Sequence, residues 1–255
     1  MIDESNPAGR LHKILSSAKN QPDNKKVSEV WSLVLGMENN DIAITKGVVE
    51  LYNLSQEIQA LIKMNGELNH QLYLSSFVRI DRSFFPLNLA SNWNSVKPHL
   101  TEEALTRLQF CAEELSRFYS EETISEEDLK DIIDKTEELF NSLYQCSLPD
   151  TLRLALLEEV ERIRSAINMY KIKGAKGLKE ALQGTIGAVV ANQDELKNAA
   201  KTNDDVIQRL GELIEKMDSF ASRALKIKKA LSTPIRFVLE ILSDPEKSPD
   251  NDSET

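Results

Sequence analysis

Cysteine, histidine, glycine and proline are all scarce here: two Cys, three His, nine Gly and eight Pro in 255 residues. Two cysteines cannot build a disulfide scaffold. Cys111 and Cys146 fall in apolar stretches of predicted helices, and with no secretory leader they read as buried free thiols of a cytoplasmic protein. So little Gly and Pro argues against a fold rich in strands and turns. No run approaches the roughly 18 consecutive apolar residues of a membrane span, and residues 186–191 make only a short one. Positive charge is also in deficit. The net charge of −10 disfavours attraction of the whole surface to nucleic acid or anionic lipid, although local patches can differ.

The same scarcity narrows the chemistry. A catalytic triad needs a nucleophile, a base and an orienting acid, and no nucleophile elbow is present. No Gly-rich phosphate cradle follows a strand, because no strand is convincing. None of His12, His70 and His99 has an Arg four to six residues before it, the spacing of helical ribonucleases of the bundle type. Glu67-Leu68-Asn69-His70 puts a carboxylate and an imidazole one turn apart on a predicted helix. Di-iron bundles use this spacing twice and add two further Glu, whereas here it occurs once. We read a surface Glu and a surface or capping His. No catalytic residue, metal ligand or cofactor is assigned, and a non-enzymatic role is favoured over an enzyme.

What is present is helical period. Leu196, Ala199, Asn203, Val206, Leu210, Leu213, Met217, Phe220, Ala224, Ile227 and Leu231 alternate in steps of three and four, and only Asn203 is polar. This spacing draws one stripe down a helix of about ten turns. With Leu196 at heptad position a, the e positions are Ala200, Ile207, Ile214, Ala221 and Lys228, of which four are apolar. A free two-stranded coiled coil needs a narrow seam with charged e and g positions, so the wide face favours a bundle, within one chain or between two. Asn203 is either a buried amide that selects a register or a residue near a fraying end.

Two short helices are expected over residues 10–35, with faces Leu11, Ile14, Leu15, Ala18 and Val27, Trp31, Val34, Leu35 and with Gly36 as a stop. A long helix is expected from about Asp41 to Ile80, carrying the stripe Leu51, Leu54, Ile58, Leu61, Asn65, Leu68, Leu72 and weakened at Gly47 and Gly66. Thr101 and Ser125 read as N-caps, each followed by first-turn acids. Leu100 with Leu105, and Ile124 with Leu129, are placed as hydrophobic staples. Pro149 opens a helix with Leu152, Leu156, Val160 and Ile163 on one face, and a last long helix is expected from Leu178 to Leu231. The fold expected is therefore all-α: a multi-helix bundle of seven or eight helices, three of them long and amphipathic. The expected domains are an N-terminal helical region (1–82), an aromatic-rich irregular connector (83–99), a C-terminal helical bundle (100–243) and a disordered acidic tail (244–255).

Three features are candidates for binding. Phe84, Phe85 and Trp93 lie in the connector and would be partner anchors if exposed, or a plug on the bundle if folded back. Gly177, Ala181, Gly184 and Ala188 form a seam of small residues, suited to a tight helix crossing or to docking of another helix. Lys171, Lys173, Lys176 and Lys179, then Arg223, Lys226, Lys228, Lys229 and Arg236, form basic clusters, while residues 102–138 hold 13 acids against 4 bases. Either acidic and basic helices lie side by side, or the bases form a patch for phosphate, nucleic acid or an acidic partner. We expect a protein–protein interaction module (an adaptor, regulator or inhibitor) that binds another protein through helix faces and self-associates. A nucleic-acid- or nucleotide-responsive regulator and a helical metal-binding protein or enzyme are the alternatives.

Overall fold

The structure is a computed structural model describing residues 5–117, 119, 121, 125–200 and 203–224. The described residues form twelve α-helices, two short 3-10 turns and no strand. The helices are α1 (Pro7–Lys19), α2 (Val27–Leu35), α3 (Asp41–Met64), α4 (His70–Leu74), α5 (Phe77–Arg82), α6 (Glu102–Leu115), α7 (Glu126–Gln145), α8 (Asp150–Asn168), α9 (Tyr170–Lys173), α10 (Ala175–Ala191), α11 (Gln193–Ala200) and α12 (Asp204–Ala224). The protein is all-α, and no described helix is long and apolar enough to cross a membrane. The chain divides into two compact units, Met1–Glu122 with Asn168–Gly174, and Thr123–Ile167 with Ala175–Thr255.

In unit 1 the sequence signals for α1, α2 and α6 act as read. Leu11, Ile14, Leu15 and Ala18 are buried, as are Val27, Trp31, Val34 and Leu35. Gly36 ends α2 at φ 71°, with its N–H donating to the Ser32 carbonyl. The Thr101 hydroxyl accepts from Ala104 N at 3.2 Å. Asn6 has two roles: Oδ1 accepts from Gly9 N, and Nδ2 donates to the Ala112 carbonyl of α6 at 2.9 Å.

The long helix expected from Asp41 to Ile80 is broken. α3 buries Ile44, Val48, Leu51, Leu54, Ile58 and Ile62 and stops at Met64. Asn65 is extended, and its side chain accepts from Glu67 N at 3.1 Å, a local turn that competes with the helix. Asn69 then caps α4, whose first residue is His70. Gly66 lies between the two Asn residues, and the three together outweigh the apolar period that runs through them.

The connector 83–99 belongs inside unit 1. Its backbone joins the start of α2: Val27 N donates to Ser91 O at 2.9 Å, and Trp93 N donates to Lys25 O at 2.7 Å. These bonds bring Phe84 and Trp93 against Trp31, with ring centroids 6.1 Å and 5.3 Å away. The boundaries expected at 82 and 100 therefore do not coincide with the division between units, because the connector's aromatics are part of a core.

In unit 2 the Thr123–Ile167 segment supplies α7 and α8. The Ser125 hydroxyl caps α7 by accepting from Asp128 N at 3.1 Å, while Ile124, its proposed staple partner, lies outside the described residues. Leu152, Leu156, Val160 and Ile163 of α8 are buried as expected. The single rod from Leu178 to Leu231 is corrected to three helices. Asn192 Nδ2 donates to the Ala188 carbonyl at 2.8 Å, drawing on a helical acceptor where α10 ends. Asn203 precedes α12, and its Oδ1 accepts from both the N–H and the hydroxyl of Ser147 at 3.1 Å. The stripe survives these breaks. Leu196, Ala199, Val206, Leu210, Leu213, Met217 and Phe220 are buried, and so are Ile207, Ile214 and Ala221 at the e positions. α12 lies against α7 and α10, which cover this wide face. Ile227, Lys228, Leu231 and the tail 244–255 lie outside the described residues.

If this face is core, Leu213→Ala and Phe220→Ala should each lower unfolding free energy by roughly 2–5 kcal/mol in urea titrations, and a loss below about 1 kcal/mol would mean that the face is open.

Candidate functional sites

The aromatic trio does not form an exposed anchor. Phe84 and Trp93 are fully buried, which corrects their reading as partner contacts. Phe85 is 37% exposed, its ring edge-on to Tyr52 at 5.5 Å. Burial wins because an indole and a phenyl ring left in water forfeit more than the connector loses by being fixed.

The small-residue seam is occupied from within. Gly177 and Ala181 are buried in α10, while Gly184 and Ala188 are half-buried. A Cβ on Gly184 would lie 2.3 Å from Arg162 Nη1 and 3.2 Å from Glu159 Oε2, so α8 crosses here with its ion pair laid over the glycine. Arg162 Nη1 donates to Glu159 Oε2 at 2.9 Å. Glu159 is buried, and loss of hydration pushes its carboxyl above the usual range; the Arg162 charge opposes this and the Glu158 charge adds to it.

Two of the basic candidates are tied within unit 1. Lys171 Nζ donates to the Val34 carbonyl at 2.5 Å, and Lys173 pairs with Glu50 at 3.4 Å, so both tie α9 to helices of unit 1. Lys176 and Lys179 stand half-buried on the first turns of α10 in unit 2. The side chain of Arg223, and all of Lys226, Lys228, Lys229 and Arg236, lie outside the described residues. Acidic α7 has basic neighbours on α12: Lys216 meets Asp128 and Asp131 at 3.0 and 2.7 Å and Arg209 meets Glu138 at 2.7 Å, while in the reverse sense Lys135 of α7 meets Glu212 of α12 at 3.1 Å. Arg164 pairs with Glu137 and lies 3.5 Å above the Phe140 ring.

Glu67 and His70 do not share a helical turn, because α3 has already ended. His70 Nε2 instead lies 2.9 Å from the Asn65 carbonyl. Among the described residues no group of three or more His, Cys, Asp or Glu could hold a metal ion. Both cysteines are free. Cys111 is buried and its thiol is pushed up to about 12 by loss of hydration, with Arg107 opposing, so it stays protonated and unreactive. Cys146 is half-buried rather than buried.

Two features went unread in the sequence. The first is a buried ion pair. Arg10 Nη1 lies 3.1 Å from Glu121 Oε2, and both side chains are nearly buried. Tyr119 donates its hydroxyl proton to Glu121 Oε1 at 2.9 Å. Burial first, and then the Glu121 charge, hold the phenols of Tyr119 and Tyr170 neutral beyond their usual range. The second is an apolar line on the surface of unit 1. Arg107 donates to the Leu72 carbonyl, and Asn65 Nδ2 donates to Glu114 Oε1 at 3.4 Å, so α6 runs beside residues 65–74. On these neighbouring segments Met64, Leu72 and Phe110 are 81%, 48% and 43% exposed, and Lys63, Glu67, Glu103 and Glu113 are exposed as well, Glu103 paired with Arg107 at 3.4 Å. Only Leu72 belonged to a periodic stripe, and that stripe implied burial.

No protein-family description matches the chain, and neither a curated protein nor a solved structure resembles it significantly.

The Glu159 carboxyl gives a signed pH dependence. Its pKa is higher folded than unfolded, so the folded state keeps this proton as pH rises out of the acid range, and stability falls until the folded carboxyl has also ionised. Chemical denaturation between about pH 4 and pH 7 should show a flatter profile and a higher neutral stability for Glu159→Gln. A steeper or unchanged profile would mean that the Arg162 pair outweighs the burial.

Proposed function

We propose that the protein is a non-enzymatic interaction module whose contact surface is the exposed line of Met64, Leu72 and Phe110 on α3, α4 and α6 of unit 1. The observation that carries this reading is the exposure of three large apolar side chains on neighbouring segments that also expose Glu67 and Glu113. Scattered apolar residues on a surface need no partner, but a line of them with a charged rim has the composition of an interface. Its chemistry fits a polypeptide segment with an apolar face and basic flanks, which would cover the apolar side chains and pair with Glu67 and Glu113.

The alternative, a nucleic-acid- or nucleotide-responsive regulator, loses support because Lys171 and Lys173 already have intramolecular partners. A helical metal-binding protein built on Glu67 and His70 loses support because a chain turn separates them.

Affinity purification from the native host with quantitative mass spectrometry, using the full chain, tests the reading. Phe110→Asp should reduce recovery of a specific partner by about tenfold or more, while melting stays within about 0.5 kcal/mol of the parent, as for a surface substitution. The double variant Lys176→Glu, Lys179→Glu should retain that partner. The opposite pattern, loss on lysine reversal with Phe110→Asp neutral, would overturn the proposal in favour of the basic surface.

A further inference from the structure

The short stretch Asn168–Gly174 belongs to unit 1, whereas Ile167 before it and Ala175 after it belong to unit 2. This strap places Met169 and Ile172 in the core and half-buries Tyr170. Its helix α9 has four residues, too few to be stable alone. Polar ties supply most of the rest. Arg10 Nε donates to the Ile172 carbonyl at 3.1 Å and Nη2 to the Lys173 carbonyl at 3.3 Å, so the guanidinium closes the C-terminal end of α9. The same guanidinium holds Glu121, whose backbone N–H donates to the Ser5 carbonyl at 2.8 Å. Gly174 fits beneath this pair at φ 64°, where a Cβ would lie 2.3 Å from Glu121 Oε2 and 2.8 Å from Arg10 Cζ.

We propose that Arg10 and Glu121 form one pin that fastens the strap and the Glu121 backbone to unit 1 together, and that the pinned segment opens as a single element before unit 1 unfolds. When it opens, residues 168–174 leave unit 1. The physical reason is the imbalance of contacts. A guanidinium serving a carboxylate and two carbonyls couples the two segments, since release of Glu121 leaves the Arg10 charge buried without its counter-charge and release of the strap strips that charge of two hydrogen bonds. Two buried apolar side chains and the half-buried Tyr170 ring give the strap less burial than the long helices around it have.

Native-state hydrogen exchange of the full chain, read amide by amide at low denaturant, tests this. The amides of Glu121, Ile172, Lys173 and Gly174 should share one opening equilibrium, with shallow denaturant dependence, above the exchange of the Leu15 and Trp31 amides. Glu121→Gln should raise exchange at all four by about tenfold or more and leave Leu15 and Trp31 unchanged. Lys173→Gln removes only the half-exposed tie to Glu50, so it should loosen the strap amides modestly and spare Glu121. Different openings for Glu121 and the strap, or exchange of the strap only together with Leu15 and Trp31, would overturn the proposal, and the parent protein alone decides this if a variant fails to fold.

Discussion

Helices in this protein hide their apolar faces against other helices and the connector, since the described chain has no sheet to supply a second layer. That constraint organises both units. In unit 1, α1 lies against α6 and α3, and the aromatic connector fills the side of α2. In unit 2, α12 presents a face wide enough to meet α7 and α10 at once. The wide face rejects a free two-stranded coil as firmly as it requires neighbours. The buried e positions Ile207, Ile214 and Ala221 show that requirement being met within one unit.

Charge is arranged around that burial rather than in place of it. Acidic α7 faces bases from α8 and α12 at the edge of the apolar contact, where each exposed pair is worth about 0–1 kcal/mol and serves mainly to set register. The Arg10–Glu121 pair differs because it is nearly buried and hydrogen-bonded to backbone carbonyls and a phenol. Removing one partner there leaves the other without compensation, so the pair fixes a conformation more than it adds stability. The bases of α9 follow the same logic: they look like a surface patch in the sequence and act as ties in the fold.

Asparagine accounts for the principal errors of the sequence reading. Period alone runs straight through Asn65 and Asn203, and treats them as single polar lapses in apolar stripes. In the structure Asn65 begins a turn, Asn69 caps α4, Asn192 bonds to a carbonyl of α10, and Asn203 binds Ser147. A short amide can satisfy backbone groups locally, and this competes with helix propagation at little cost. Asn-Gly at 65–66 was the readable sign. Asn192 and Asn203 carried no such neighbour; Asn192 bonds locally to the Ala188 carbonyl, whereas the Ser147 partner of Asn203 was settled by packing.

The sequence by itself determined the all-α class, the caps at Thr101 and Ser125, the stop at Gly36 and the buried faces of α1, α2, α8 and α12, because each depends on spacing within a few turns. Only the tertiary structure decided that Phe84 and Trp93 are core, that Lys171 and Lys173 are tied, and that Arg10 meets Glu121 across more than a hundred residues. It alone exposed Met64, Leu72 and Phe110. Those outcomes turn on which distant segment arrives at each side chain, and local periodicity holds no information about arrival.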